Sequence, residues 1–277
     1  MKLPSIQTFD DSMRPMISCM PRVRSLVVAL LLGLAAVRPA AAVDWTDLWW
    51  NGAESGWGVN FVQADNFIFA TFFVYGADQK ATWFTGQMSV DANGVWSGPL
   101  YQTTGPYYGG VWDPTQRTTT QVGTVTFNPT SSYSGTLTYN VNNVNVSKVV
   151  SRQTLKTIPL GGTYIGGIFT SVTSCNDSSQ NGTISLYTAI TATQIQGGAL
   201  TLDFAINQGG SCRFAGNWLQ DGQLYRINTA SYTCGTTFST TAFVSQIKAT
   251  AQGIEGQWNA PVGGGCQETG FFSAVLQ

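Results

Sequence analysis

The chain has 277 residues, 43% of them hydrophobic and only 10% charged, with a formal net charge of −1 and no histidine. Without imidazole there is no Ser-His-Asp or Cys-His nucleophile system, no histidine-ligated zinc and no histidine-ligated haem. Gly-x-Ser-x-Gly, phosphate-cradling loops and dinucleotide fingerprints are also missing from the sequence.

Residues 1–42 read as an export signal rather than as part of the fold. Arg22 and Arg24 form a positive start, Ser25 to Ala36 is an apolar run, and Ala40 and Ala42 fit a cleavage site after Ala42. The apolar run is too short for a comfortable membrane span. Met13 or Met20 reads as the initiator, and Cys19 precedes the run, so it is no lipid-attachment cysteine. The mature chain from Val43 then keeps eight basic and twelve acidic residues, a net charge of −4 without blocks. That charge argues against nucleic acid and against docking on anionic lipid. A periplasmic or secreted protein without a membrane span in its mature chain is the expectation.

From Val43 onward no stretch holds a helical period. Short runs rich in β-branched and aromatic residues alternate with turn chemistry every eight to twelve residues. In order come "FIFATFFVY", "KATWFTGQM", "VWSGPLYQT", "VGTVTF", "YSGTLTYNV" and "VNVSKVVSRQTL", with Asn142-Asn143 at the last bend. Asn93-Gly94, Asn181-Gly182 and Asp221-Gly222 suit tight hairpin turns that need positive φ. The pattern predicts an all-β protein of two antiparallel meanders with seven or eight strands each. Closure removes exposed sheet edges, so two small β-barrels are expected, with barrel-like sandwiches as the alternative. "LKTIPLGG" (155–162) marks the boundary, giving domains at 43–157 and 158–277.

Four cysteines follow the boundary: Cys175, Cys212, Cys234 and Cys266. An even number in an exported chain reads as two disulfides, and no close pair offers a metal site. An eight-strand meander from about Thr163 puts all four at one barrel end. Strands four and five are neighbours there, and closure joins strands one and eight. The expected bonds are Cys212–Cys234 and Cys175–Cys266.

The runs "LWWNGAESGWGVN", "IFATFFVYGADQKATWF", "GPLYQTTGP", "VGTVTF" and "VNVSKVVSRQ" occur in this order. Residues 48–155 thereby resemble an uncharacterised family of exported proteobacterial β-rich proteins carrying a WWN-x-x-ESGWG-x-N signature. The second half resembles another secreted module through "CRFAGNWLQDGQ" and "GCQETGFFSAVLQ". The resemblance implies location and domain limits but no activity. A tryptophan-lined small barrel also resembles avidin or a lipocalin at fold level, which does not carry function.

Without histidine, a carboxylate pair could still hydrolyse glycosides. Glu54, among Trp49, Trp50 and Trp57, is the acid to consider, since burial against indoles raises a carboxyl pKa. Asp44, Asp47 and Asp65 are available as partners, and nothing singles one out. The alternative is a polar turn with Glu54 paired to Lys148 or Arg152. Both faces of "IFATFFVY" are apolar, so one should line the barrel and the other should meet a partner domain, a partner chain or a ligand. Trp83, Trp96 and Tyr101 extend that aromatic surface. The loop "YQTTGPYYGGVWD" breaks the meander, and such loops carry function over rigid scaffolds.

The leading expectation is a non-catalytic binding protein for a carbohydrate or small apolar ligand, with no cofactor and no metal. Its site would comprise Trp49, Trp50, Trp57 and Trp83, with Asn51, Glu54 and Asn60 as polar groups and Tyr107, Tyr108 and Trp112 as rim. Two alternatives stand beside it. One is an extracellular protein-interaction module of adhesin or inhibitor type, including a homodimer. The other is a carboxylate-dependent hydrolase centred on Glu54.

Overall fold

The computed structural model describes residues 43–207 and 209–277. The export signal and the cleavage after Ala42 lie outside the described residues.

Two closed antiparallel eight-strand barrels follow one another along the chain. The first runs β1 (Asp47–Trp50), β2 (Gly58–Ala64), β3 (Phe67–Tyr75), β4 (Ala81–Val90), β5 (Trp96–Thr104), β6 (Thr118–Ser131), β7 (Ser134–Val141) and β8 (Val144–Arg152). Each strand pairs with the next, and β8 returns to β1 through Trp49↔Arg152 and Trp50↔Ser151. The second runs β9 (Gly162–Thr173), β10 (Gly182–Gln194), β11 (Ala199–Ile206), β12 (Gly210–Asn217), a short β13 (Leu219–Asp221), β14 (Leu224–Cys234), β15 (Phe238–Ala249), β16 (Gly253–Pro261) and β17 (Gln267–Leu276). Here β12 pairs directly with β14, and β17 returns to β9 over ten residue pairs, so this ring also closes.

Turn chemistry explains most of the connections. Asn142 and Asn143 both take positive φ, +47° and +68°, in the two-residue turn between β7 and β8. Gly94 and Gly222 do the same at +80° and +64°. Asn181-Gly182 differs from expectation: Asn181 is extended and Gly182 opens β10. The reversal happens earlier, where Asp177 accepts hydrogen bonds from the Ser179 N–H at 2.9 Å and the Ser179 hydroxyl at 2.7 Å. That local acceptor nucleates a single 3-10 turn at Ser178–Gln180 before the Asn-Gly step is reached.

The interior of the first barrel is filled by its own side chains, one of the two outcomes an eight-strand circumference permits. Trp49, Phe61, Ile68, Phe72, Met88, Leu100, Phe127 and Leu137 have no solvent exposure. Trp49 and Phe61 each meet Phe127 edge-on at 5.1 Å, and Trp45 meets it at 5.5 Å. In β3, Ile68, Ala70 and Phe72 point inward, while Phe67, Phe69, Phe73 and Tyr75 point out. The second barrel buries Tyr225, Ile227, Leu200, Leu202, Phe214, Val244, Trp258 and Phe272 in the same way. Gly270 lies under the Trp258 indole, where a Cβ would overlap the ring.

Cys175–Cys266 and Cys212–Cys234 are bonded, the pairing that the strand count predicts. The first bond lies where β9 ends and β17 begins, beside the closing seam. The second bridges the directly opposed pair Cys212↔Cys234 on β12 and β14.

Residues 43–277 form one compact unit, and the barrels meet end to end. The connector 153–161 is strapped onto the second barrel. The Ile158 N–H donates to the Tyr225 hydroxyl oxygen at 2.8 Å, that hydroxyl donates to the Ile158 carbonyl at 2.6 Å, and Leu160 is fully buried. The junction centres on Arg152, whose side chain is 1% exposed. Its guanidinium donates to Asp47 Oδ2 at 3.1 Å, the Ser132 carbonyl at 2.8 Å and the Asp44 carbonyl at 2.5 Å. Across the junction, the Gln246 N–H donates to the Tyr133 hydroxyl oxygen at 2.9 Å, and Lys248 pairs with Asp44 at 3.0 Å.

Candidate functional site

Strand direction alone gathers one set of loops at the barrel end farthest from the junction. The β1–β2 turn (51–57), the β3–β4 turn (76–80), the β5–β6 loop (105–117) and the β7–β8 turn (142–143) all emerge there. Asn51 builds the first of these turns. Its Oδ1 accepts the Ala53 N–H and its carbonyl accepts the Glu54 N–H, both at 2.9 Å, so its side chain serves the turn.

Glu54 then sits over the mouth. Lys148, on the interior-facing side of β8, approaches Glu54 Oε2 at 2.7 Å and donates to Oε1 at 2.9 Å. The Trp57 Nε1–H donates to the same carboxylate at 3.1 Å. The Lys148 hydrogen bond, and less so that of Trp57, hold the Glu54 carboxyl below the usual glutamate range. Beneath it the Tyr139 phenol is pushed up, first by burial and then by the Glu54 charge. Glu54 is therefore an ionised, paired acid, the opposite of a carboxyl kept protonated by burial. Asp44 and Asp47 lie at the junction end, and Asp65 lies in the β2–β3 turn at that same end. A seven-residue strand separates the two ends by roughly 20 Å, well beyond the ~5–9.5 Å between the carboxyls of a glycosidase pair.

The other residues expected in the site divide by face. Trp49 points inward and is fully buried against Phe61 and Phe127, so it supports the wall without facing a ligand. Trp50 points outward and is partly covered, its ring lying against Gly52. Asn60 lies on the outer wall in a cross-strand row with Thr71, Thr85 and Tyr101. Trp83 lies in the next row toward the mouth, directly opposite Phe73. Tyr107, Tyr108 and Trp112 project from the β5–β6 loop, with Tyr108 94% exposed and the two tyrosine rings 4.7 Å apart. Asp113 stiffens the base of this loop by accepting from the Thr115 N–H and hydroxyl, at 2.9 and 2.7 Å.

One open depression links the mouth to the outer wall. It measures about 420 Å³ and is lined by Gly56, Thr71, Phe73, Val74, Tyr75, Ala81, Thr82 and Trp83. Gly56, with φ of +114°, brings the β1–β2 turn against Tyr75, whose hydroxyl would lie 3.5 Å from any Cβ added there. Phe73, Tyr75 and Trp83 are each about half exposed, at 51%, 59% and 48%. Phe73 and Tyr75 were not singled out from the sequence as site residues. The signal was present in the doubly apolar "FIFATFFVY", whose outward set is this wall. Among the described residues nothing covers it.

No protein-family model matches the chain, and no curated protein matches it.

Proposed function

We propose that the first barrel is a non-catalytic binding module that holds a carbohydrate against Phe73, Tyr75 and Trp83. The observation that carries this reading is the open depression where these three half-exposed rings lie beside Thr71 on the outer wall. A sugar presents apolar C–H faces to rings and hydroxyls to polar groups, and it keeps much of its surface in water. A small apolar ligand instead needs most of its surface buried in a concave pocket. The first barrel's own axis, where such a ligand would go, is occupied by Trp49, Phe61, Phe72 and Phe127. The two disulfides, and the absence among the described residues of a helix long and apolar enough to cross a membrane, are compatible with an extracellular or periplasmic setting.

Calorimetric titration with neutral oligosaccharides tests this. Saturable binding that is lost in Trp83→Ala and kept in Glu54→Gln supports a stacking site. Binding that survives Trp83→Ala, or no binding across a broad panel, removes it.

A second reading, a protein-interaction face, draws on a different observation. The outward apolar set continues beyond the depression to Val62, Phe67 and Phe69, more than one sugar needs. Sedimentation equilibrium that shows a concentration-dependent dimer dissolved by Phe69→Glu would favour it.

A further inference from the structure

The second barrel holds an acid that its own residues leave without a cation. Glu268 lies on β17 facing inward and is 8% exposed. The Thr170 hydroxyl donates to its Oε1 at 2.7 Å, and the Tyr232 hydroxyl donates to the same oxygen at 3.4 Å. Burial first, and the Glu268 carboxylate second, push the Tyr232 phenol up, which keeps it a donor. No hydrogen bond among the described residues reaches Oε2, yet that atom is not among those sealed from solvent.

The cations of this barrel are all engaged elsewhere. Arg213 pairs with Asp203, Arg226 with Asp221, and Lys248 with Asp44 across the junction. A buried carboxylate in this position is costly unless a positive charge or a proton joins it.

Its surroundings give the shape of what could join it. Glu268 stands at the disulfide end of the barrel, two residues from Cys266. Thr170 is paired in register with Ile184, which faces inward and is nevertheless 49% exposed, so solvent enters the mouth beside the acid. Phe238 packs on Tyr232 at 5.4 Å and Phe214 stacks on it at 4.3 Å, making the rest of this wall apolar. One carboxylate and two hydroxyls fall short of the six or more oxygens that calcium or magnesium takes. No group of three acidic, cysteine or histidine side chains gathers among the described residues. An alkylammonium matches both parts, with N–H donors for Oε2 and a stem for the apolar rim.

We propose that the disulfide-end mouth of the second barrel binds a primary alkylammonium, with Glu268 as its counter-ion. Thr170 and Tyr232 position the carboxylate by fixing Oε1, which leaves Oε2 for the ligand. This site is separate from the aromatic wall of the first barrel and does not depend on its reading.

The test is calorimetric titration of the oxidised protein with n-butylammonium chloride in excess sodium chloride, with tetramethylammonium as a competitor lacking N–H donors. The expected result is saturable binding of n-butylammonium, weaker binding of tetramethylammonium, and a loss of roughly 30-fold or more in Glu268→Gln, as for other severed buried charge pairs. Thr170→Val serves as a second variant should Glu268→Gln fail to fold, and it should weaken binding by a smaller factor. Absence of saturable binding to the wild-type protein, equal affinity for both cations, or full binding by a folded Glu268→Gln protein would overturn the assignment.

Discussion

Asp47 and Arg152 form a buried ion pair in which a single oxygen serves two barrels. Asp47 Oδ2 accepts from Arg152 Nη1 at 3.1 Å within the first barrel and from the Gln223 N–H of the second at 3.0 Å. Arg152 in turn donates to the Ser132 and Asp44 carbonyls and lies over the Trp49 ring at 4.9 Å. Asp47→Ala would leave that guanidinium buried and short of charge. The expected cost is about 3–5 kcal/mol, the usual range for breaking a buried pair from one side. Urea unfolding measures it, and a change below ~1 kcal/mol would show that water replaces the carboxylate freely.

Gly222 occupies the turn facing this pair, with φ of +64°, and a Cβ there would overlap Asp47 Oδ2. Gly94 has φ of +80° and nothing within 4 Å of the same position. Both alanine variants carry the left-handed backbone strain of about 1–2 kcal/mol, but only Gly222→Ala must also displace the carboxylate. Thermal unfolding should therefore rank Gly222→Ala well below Gly94→Ala. Equal losses would mean that the junction yields without resistance.

Lys148 and Glu54 predict an acid-side effect of stated sign. The Glu54 carboxyl titrates below its unfolded value, chiefly through the Lys148 hydrogen bond. Its contribution is thus present above the ordinary glutamate range and is lost as pH falls through the lowered folded value. In Lys148→Met the carboxyl should titrate back toward the ordinary range, followed by carbon-detected NMR of the side chain. The acid limb of the stability profile should flatten correspondingly. An unmoved titration would assign the shift to Trp57 instead.

The two disulfides differ in the length of chain they close, 91 residues for Cys175–Cys266 and 22 for Cys212–Cys234. Loop-closure entropy then gives about 4.6 and 3.4 kcal/mol. Replacing the first pair by alanine should cost more than replacing the second, by ~1 kcal/mol in denaturant unfolding. The reverse order would mean that Cys212–Cys234 does more, by holding the pairing of β12 with β14.

The fold was legible because barrels repeat local rules. Alternation in "FIFATFFVY" gave a strand, turn residues gave its limits, and the parity of eight strands gave both disulfide partners. Asn181-Gly182 misled because Asp177, four residues earlier, offers a stronger local acceptor for a turn. The site was legible only in part. The same alternation separates Trp49, which faces in, from Trp50, which faces out, yet a cluster of indoles reads as one site until the strand is placed. The sequence offers Lys148 or Arg152 as the partner of Glu54, with Lys148 94 residues away. The closing of β8 onto β1 selects Lys148, while Arg152 goes to Asp47 at the other end. The junction left no periodic signal, because Asp47, Tyr133 and Gly222 meet the other ring through a few isolated contacts. Glu268 left none either, since an acid in an alternating strand looks solvent-facing until its parity is known.

The Arg152 guanidinium, 4.9 Å from the Trp49 ring and 5.9 Å from that of Trp45, also gives the molecule an optical division of labour. These two indoles sit in a dry core beside a fixed positive charge, whereas Trp83 and Trp112 are about half exposed or more. The first pair should emit to the blue and change only when the barrels part. The second should emit to the red and respond to whatever settles on the outer wall, so with the other buried indoles, Trp96 and Trp258, replaced by phenylalanine, one spectrum separates undocking from occupancy.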